Sequence, residues 1–487
     1  MTARTPLLAA LSLASFLAGC AAGPEYRHPD LPLAAQFSEA RAPVGRGRVV
    51  TLADHVSWWK SFDDPVLEQL VVAGLAQNLD IAQARARLEQ AKAGLTGAEA
   101  ALLPIGAVTA SGARGQQSLE DPMGRLLSAS PNFNRWGKSF AADLGVGWEL
   151  DVFGGLRNER DASLADYQAS AAAVAAVRLA VASHVADLYL AIRGVQARLD
   201  IALQQLQVQN ELSSKVELLF QHGLASDVQV QASQAELAQA RSAVPLLQAA
   251  LTGALNSMDV LLGVSPGTYR ERLSTSAQIP ATPRFTEAGA PADLLWRRPD
   301  LMAAERKLAA ANARIGEAMS EYYPKFSLSA LLGSASTGSA GHLFASDSSH
   351  MSGVLGLRWR LFDFKRIDAQ IAQAKGQERE RLAAYKLAVL RATEEVETAL
   401  SDLANREQAL EALAQGEQAL GRALRSADAA FSTGAASRID VLRAQESVLR
   451  LSDARAVAQT EAARAAVSTF KALGGGWQVA RPLMASR

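Results

Sequence analysis

From Ser139 to Phe153 apolar and polar positions alternate strictly. Phe140, Ala142, Leu144, Val146, Trp148, Leu150 and Val152 share one face, and Ser139, Ala141, Asp143, Gly145, Gly147, Glu149 and Asp151 share the other. A period of two over this length predicts a β-strand long enough to cross a bilayer at a tilt. A less regular copy follows later, with Leu355, Leu357, Trp359 and Leu361 against Gly356, Arg358 and Arg360. Weaker partner strands start at Pro104 and Pro324; in the second, Phe326, Leu328, Ala330 and Leu332 alternate with Lys325, Ser327 and Ser329. A half-exposed strand of a soluble sheet has the same pattern, so alternation alone leaves both environments open.

After each strand pair the period changes from two to three-and-four. Val174, Val177, Val181, Val185, Leu188, Ile192, Val195, Leu199, Leu203 and Leu206 mark a coiled-coil seam in a proline-free stretch from about Asn158 to Gln221. At 1.5 Å per residue such a helix is roughly 100 Å long. Val389, Val396, Leu400, Leu403, Leu410, Leu413, Leu420 and Leu424 mark its counterpart from Ile367 to Ala430. Each predicted helix ends in a turn, Gly223-Leu224-Ala225-Ser226 or Gly434-Ala435-Ala436-Ser437, and an amphipathic helix runs back. Glycine ends the first helix in the left-handed conformation, and serine caps the next. The helices alone fit either a spacer rod or a tube.

The chain is therefore a tandem duplication. Trp148-Glu149-Leu150 matches Trp359-Arg360-Leu361, Phe220-Gln221-His222-Gly223 matches Phe431-Ser432-Thr433-Gly434, and Leu262-Gly263 matches Leu473-Gly474. The offset between copies is about 220 positions before the hairpins and about 211 after them, which places the length difference inside the first hairpin. The expected organisation is a signal peptide at 1–19, an extended tether at 20–56, helical segments at 57–103, and hairpin 1 at 104–153. A helical hairpin at 154–262, a linker at 263–290 and helix at 291–323 follow. The remainder is hairpin 2 at 324–364, a helical hairpin at 365–473 and a tail at 474–487. Four strands cannot close a transmembrane barrel, because open edges in lipid leave backbone groups unpaired at several kcal/mol each. Several copies must share one barrel, and the strand pattern does not choose between two copies and three.

At the amino terminus, Arg4, an apolar run from Leu7 to Ala18, and Leu17-Ala18-Gly19-Cys20 read as a lipoprotein signal in which the single cysteine becomes the lipidated end. Ala21, not aspartate, follows Cys20, which under the sorting rule of enteric bacteria implies passage to the outer membrane. Pro24, Pro29, Pro32 and Pro43 lie in a stretch that reads as an extended tether. Beyond the signal no unbroken run of eighteen apolar residues exists, so no transmembrane helix is expected.

Lys plus Arg and Asp plus Glu are equal at 49 each, with no basic cluster, which argues against nucleic acid as a partner. No nucleotide-binding glycine loop, nucleophile elbow, zinc-protease motif or paired cysteine motif occurs, so the chain is not expected to be an enzyme. His342, Asp347 and His350 share a predicted loop, yet a solvated Ser/Gly loop explains them better than a metal site. His184 falls beside the seam as a packed or interfacial histidine. Asp440 and Arg443, three apart on the returning helix, share a face; by spacing alone they are an ordinary surface pair.

Four groups of residues in this order carry a resemblance. They are Leu17 through Tyr26; Trp58-Trp59-Lys60-Ser61-Phe62-Asp63-Asp64-Pro65; Arg297-Arg298-Pro299-Asp300 with Tyr323-Pro324; and Gly434 through Ser437 with Asp440-Val441-Leu442. The chain resembles the TolC-like outer-membrane factor family, specifically its NodT-type lipoproteins that serve resistance-nodulation-division efflux pumps. The resemblance implies a mainly α fold with transmembrane β-structure: a homotrimer sharing a 12-stranded barrel, continuous with a periplasmic helical barrel. It implies an N-acyl diglyceride lipid on Cys20 and no other cofactor. It also implies a periplasmic aperture closed by Asp440, with Arg443 pairing to it or to a neighbouring subunit. Gln229 stands at the equivalent first-copy position, where Asp227 substitutes. The tips around Gly223, Leu224, Ser226, Gly434, Ala435 and Ser437 would meet a periplasmic adaptor that links to an inner-membrane pump. The implied function is a passive exit duct for small molecules such as drugs. The alternatives are a type I secretion duct and a lipid-anchored coiled-coil tether without a pore. The transported substrate is not legible.

Overall fold

The computed structural model describes residues 22–38, 49–50, 52–285 and 290–476. Cys20, the signal segment 1–19 and much of the tether lie outside the described residues. The chain divides into two compact units. One holds the chain up to Pro29, Glu89–Tyr167 and Glu305–Ala383; the other holds Asp30–Leu88, Gln168–Ala304 and the chain from Ala384 onward.

The first unit contains a four-stranded antiparallel sheet in chain order: β1 (Ile105–Gln116), β2 (Trp136–Leu150), β3 (Lys325–Ser336) and β4 (Ser349–Arg358). The register pairs Leu144 with Val108 and Leu332, and Trp148 with Leu328. These residues line one face, which stays exposed in the chain. The opposite face carries Asp143, Gly145, Gly147 and Glu149 beside Gly333, Leu331, Ser329 and Ser327. Strand β1 is exposed along its whole length, and β1 and β4 each have one edge without a neighbour in the sheet.

The strands differ from the sequence reading at their ends. β2 starts at Trp136 and stops at Leu150, so Val152 and Asp151 lie outside it. The reason is local: Asp151 accepts the amide N–H groups of Leu156 and Arg157, both at 3.0 Å, and caps the helix that follows. Gly154, at φ 78°, makes the intervening turn. β4 stops at Arg358, and Arg360 pairs with Glu321 at 2.7 Å and with Asp363. Both copies share one anchor. The Trp148 indole N–H donates to the Leu102 carbonyl at 2.9 Å, and the Trp359 indole donates to the Tyr322 carbonyl at 3.0 Å, each acceptor two residues before the proline that opens a strand. An indole with one apolar end and one hydrogen-bonded end suits a membrane–water boundary. The length difference between copies sits in the loops: 117–135 contains a helix, Pro122–Ser128, capped by Asp121, whereas 337–348 holds only short 3₁₀ turns.

The start of the tether is docked. Ala22 donates its N–H to the Phe153 carbonyl at 3.0 Å, and the Asn158 amide donates to the Ala22 carbonyl at 2.9 Å. The Tyr26 hydroxyl donates to Glu305, and its ring packs against Ala165, Ala309 and Ala310.

The long helices are α3 (Gly155–Gln221) and α6 (Phe364–Ser432), preceded by α1 (Pro65–Gln77), α2 (Leu79–Ala100) and α5 (Pro299–Ser320) and followed by the returning helices α4 (Asp227–Leu261) and α7 (Arg438–Ala472). In α6 Val389, Val396, Leu403 and Leu410 are buried at heptad spacing. In α3 the buried stripe is rotated from the expected one: Ala182, Ala186, Tyr189, Arg193 and Gln196 join Val181, Val185 and Ile192 inside, while Leu203 is exposed. His184 is exposed within the chain, not packed. One stretch of α3 is apolar enough by composition and length to cross a membrane, and half of that stretch is buried inside the protein.

The rotation has a chemical cause. In the second unit, Asp64 caps α1 through the Val66 and Leu67 amides and also accepts the Tyr189 hydroxyl at 2.6 Å. Arg193 donates to Tyr189 at 3.1 Å, to Gln196 at 2.9 Å and to the Thr275 carbonyl at 2.8 Å. Burial, followed by the bond to Asp64, pushes the Tyr189 hydroxyl up to about 12. This satisfied polar network holds α3 by its small and polar positions as much as by its valines. Trp58, fully buried, stacks on Phe470 at 5.1 Å beside it.

Candidate functional site: two helical tips and the inward face of the sheet

The tips are built alike. In the first, Gly223 turns at φ 72° and the Leu224 N–H closes onto the Leu219 carbonyl at 2.8 Å; in the second, Gly434 turns at φ 78° and the Ala435 N–H closes onto the Ala430 carbonyl at 2.8 Å. A positive φ there favours glycine, which has no Cβ to strain. Each returning helix opens with a capping box. The Ser226 hydroxyl accepts the Gln229 N–H, and the Gln229 side chain accepts the Ser226 N–H at 2.8 Å. Ser437 and Asp440 do the same, the carboxylate accepting the Ser437 N–H at 2.9 Å and its hydroxyl at 2.7 Å. Those bonds, the hydroxyl's first, hold the Asp440 carboxyl below its ordinary range. Leu224 and Ala435 are exposed.

Arg443 is exposed and forms no ion pair with Asp440 among the described residues. Asp227 opens α4, where it accepts from Gln231 at 3.4 Å. Gln229 and Asp440 occupy the same capping position, so Asp227 corresponds instead to Arg438. Arg438 binds Glu211 of α3 through both carboxylate oxygens at 2.9 and 3.2 Å, and this bond lowers the Glu211 pKa. The two copies thus carry opposite charge at one position of otherwise matching turns.

Glu211–Arg438 is one rung of a ladder. Arg198 pairs with Asp453 at 2.8 Å and Asp187 with Arg464 at 2.7 Å, so antiparallel α3 and α7 are joined at three levels. Between the rungs Val208, Leu212, Leu442 and Leu449 form an apolar cluster. At Gly194 a Cβ would overlap the Thr460 side chain, so glycine lets the helices meet there. Sequence reading missed this ladder because its partners lie hundreds of positions apart. The one local signal was the unusual glycine within the α3 pattern.

The inward face of the sheet leaves an open hollow of about 630 Å³, where small Ala107, Gly145, Gly147 and Ser329 lie among the larger Leu103, Ile105 and Leu331. Glu149 and Lys325 lie 3.9 Å apart near its rim. Of the charges expected on this face, Asp143, Glu149 and Arg358 are in strands; Asp151 and Arg360 are beyond the strand ends. Among the described residues no three side chains from His, Cys, Asp and Glu gather as metal ligands, and His350 approaches Asp143 instead of His342 or Asp347.

The profile of the family described as "Outer membrane efflux protein" matches residues 70–264 and 290–475. The nodulation protein T of Rhizobium leguminosarum bv. viciae is 30% identical over 98% of this chain and 96% of its own. The pyoverdine export outer membrane protein OpmQ of Pseudomonas putida is 32% identical over 87% of this chain and 89% of its own. The solved outer-membrane channel OprN is similar at a TM-score of 0.81 with 32% identity, covering 94% of this chain and 100% of that one. The duplicated match, the sheet with one apolar face and the shared fold agree: the chain belongs to the outer membrane efflux protein family and is an outer-membrane channel that serves as the exit duct of an efflux system.

Proposed function

We propose that three copies join β4 to β1 around a threefold axis, so that twelve strands close one barrel and every sheet edge finds a partner. The observation that carries this reading is the sheet itself: two free edges flank an exposed apolar face, an arrangement that lipid penalises unless the edges are paired. The duct conducts passively and catalyses nothing; an inner-membrane pump supplies the work, and a periplasmic adaptor bridges to it.

The tips at Gly223 to Ser226 and Gly434 to Ser437 receive that adaptor, and Asp440, Arg443 and Asp227 set the charge around the aperture. The second tip is the mobile one, released when adaptor contacts displace Glu211 from Arg438. An exposed pair contributes about 0.2–1 kcal/mol, so contacts of several kcal/mol over three subunits shift such a tip to open. Cys20 carries the lipid: one residue, Ala21, separates it from Ala22, a reach of about 7 Å at full extension, and Ala22 is docked beside the end of β2. The substrate class is small molecules chosen mainly by the pump.

Mass determination and planar-bilayer conductance on one detergent-solubilised preparation test the proposal. A trimer with small, rarely opening currents is expected. A monomer or dimer without conductance overturns the shared barrel and favours a lipid-anchored tether.

A further inference from the structure

Three adjacent strands place Asp143 of β2, Gly333 of β3 and His350 of β4 in one row on the inward face. The His350 Nε2 lies 3.1 Å from Asp143 Oδ1 although a whole strand separates their backbones. Gly333 makes this reach possible, because a Cβ there would overlap the Asp143 carboxylate. That carboxylate oxygen is buried yet has no aligned hydrogen-bond donor among the described residues. The imidazole is at ion-pair distance without forming a directed bond, so the pair gains most when the ring carries a charge.

We infer that the Asp143–Gly333–His350 row is a specificity-determining element of the duct, a proton-controlled charge that sets its preference between cations and anions. This rests on the reading that the inward face lines a conducting lumen. Histidine is the side chain whose charge changes between about pH 5 and 8. With neutral His350 each subunit presents one uncompensated carboxylate to passing ions; with charged His350 the carboxylate is neutralised in place. Three copies change three charges in one lumen, where fixed charge governs which ions enter.

The neighbours leave the pair to itself. On β1, Thr109 stands opposite Asp143 and is neutral. On β2 and β3 the next charges along this face are Glu149 and Lys325, paired with each other, and on β4 it is Arg358, in register with Lys325. The 3₁₀ turns after β3 contribute His342 and Asp347. None of these supplies a second partner for Asp143.

The test is the reversal potential of the trimer in a salt gradient at pH 8 and pH 5. Wild type is expected to prefer cations at pH 8 and to lose at least half of that preference at pH 5. His350→Gln should prefer cations equally at both values, and His350→Arg should behave at pH 8 as wild type does at pH 5. Gly333→Ala, which drives the carboxylate off the row, should weaken the change, and His342→Gln should leave it. A conducting wild type whose selectivity ignores pH, or a pH change that survives in His350→Gln, overturns the inference alone. A trimer that never conducts removes the duct reading and this inference with it.

Discussion

The two helical tips have nearly the same backbone and different electrostatics. Gly223 and Gly434 turn at φ 72° and 78°, and both returning helices open with a serine capping box. The third helical position is neutral Gln229 in one and charged Asp440 in the other, and the first position is Asp227 in one and Arg438 in the other. Duplication kept what the turn needs and changed what the turn presents. A fold built from two copies can in this way make one hairpin a support and the other a moving part, because ion pairs and a carboxylate cap respond to partners and pH while a neutral cap and glycines do not.

The comparison breaks or sharpens in a graded series, read as hydrogen exchange at the tip amides of the solubilised protein. Gly223→Ala and Gly434→Ala each force a Cβ into the left-handed region, costing about 1–2 kcal/mol; equal loss of protection at both tips is expected, and unequal loss would break the claim that the turns are equivalent. Ser226→Ala and Ser437→Ala each remove a cap, about 1 kcal/mol. The second tip should lose more, because the Ser437 hydroxyl donates to the Asp440 carboxylate at 2.7 Å, whereas the Ser226 hydroxyl donates to the neutral Gln229 amide at 3.3 Å. Arg438→Ala should loosen the second tip by about 0.2–1 kcal/mol and leave the first unchanged. A double-mutant cycle with Glu211→Ala that shows no coupling would remove the ladder's lowest rung from the account.

The smallest effect is the response to acid. The folded-state Asp440 and Glu211 carboxyls lie below their ordinary ranges, through the Ser437 and Arg438 bonds respectively. A lowered folded pKa means stability that is present above the unfolded carboxylate range and lost as pH falls through the folded value. Acidification below the ordinary carboxylate range should therefore loosen the second tip before the first. Gln229→Asp should give the first tip part of the same sensitivity, and Asp440→Asn should remove part of it from the second.

Some of this was legible in advance, and the reason is range. Periods of two and of three-and-four are set by neighbours a few residues apart, so the hairpin strands and long helices could be read locally, as could the glycine and serine of each turn. Strand ends were missed by a few residues because Asp151 and Arg360 bind neighbouring segments instead of extending the alternation. The α3 stripe was misread because Tyr189 and Arg193 enter a polar network with Asp64 and Thr275, which hydrophobic spacing does not register. Asp440 was legible as a residue, but its bond to Ser437 shows that it also has a purely structural task.

The sequence by itself determined the duplicated order of elements, the amphipathic faces and the conformation of the two turns, since each follows from side chains close together along the chain. Only the tertiary structure decided which strands pair, which charges meet across α3 and α7, and that Gly333 lets His350 reach Asp143. Those contacts join residues up to some 280 positions apart, as in Asp187–Arg464. No local period encodes such a distance; packing selects the partner once the helices and strands already exist.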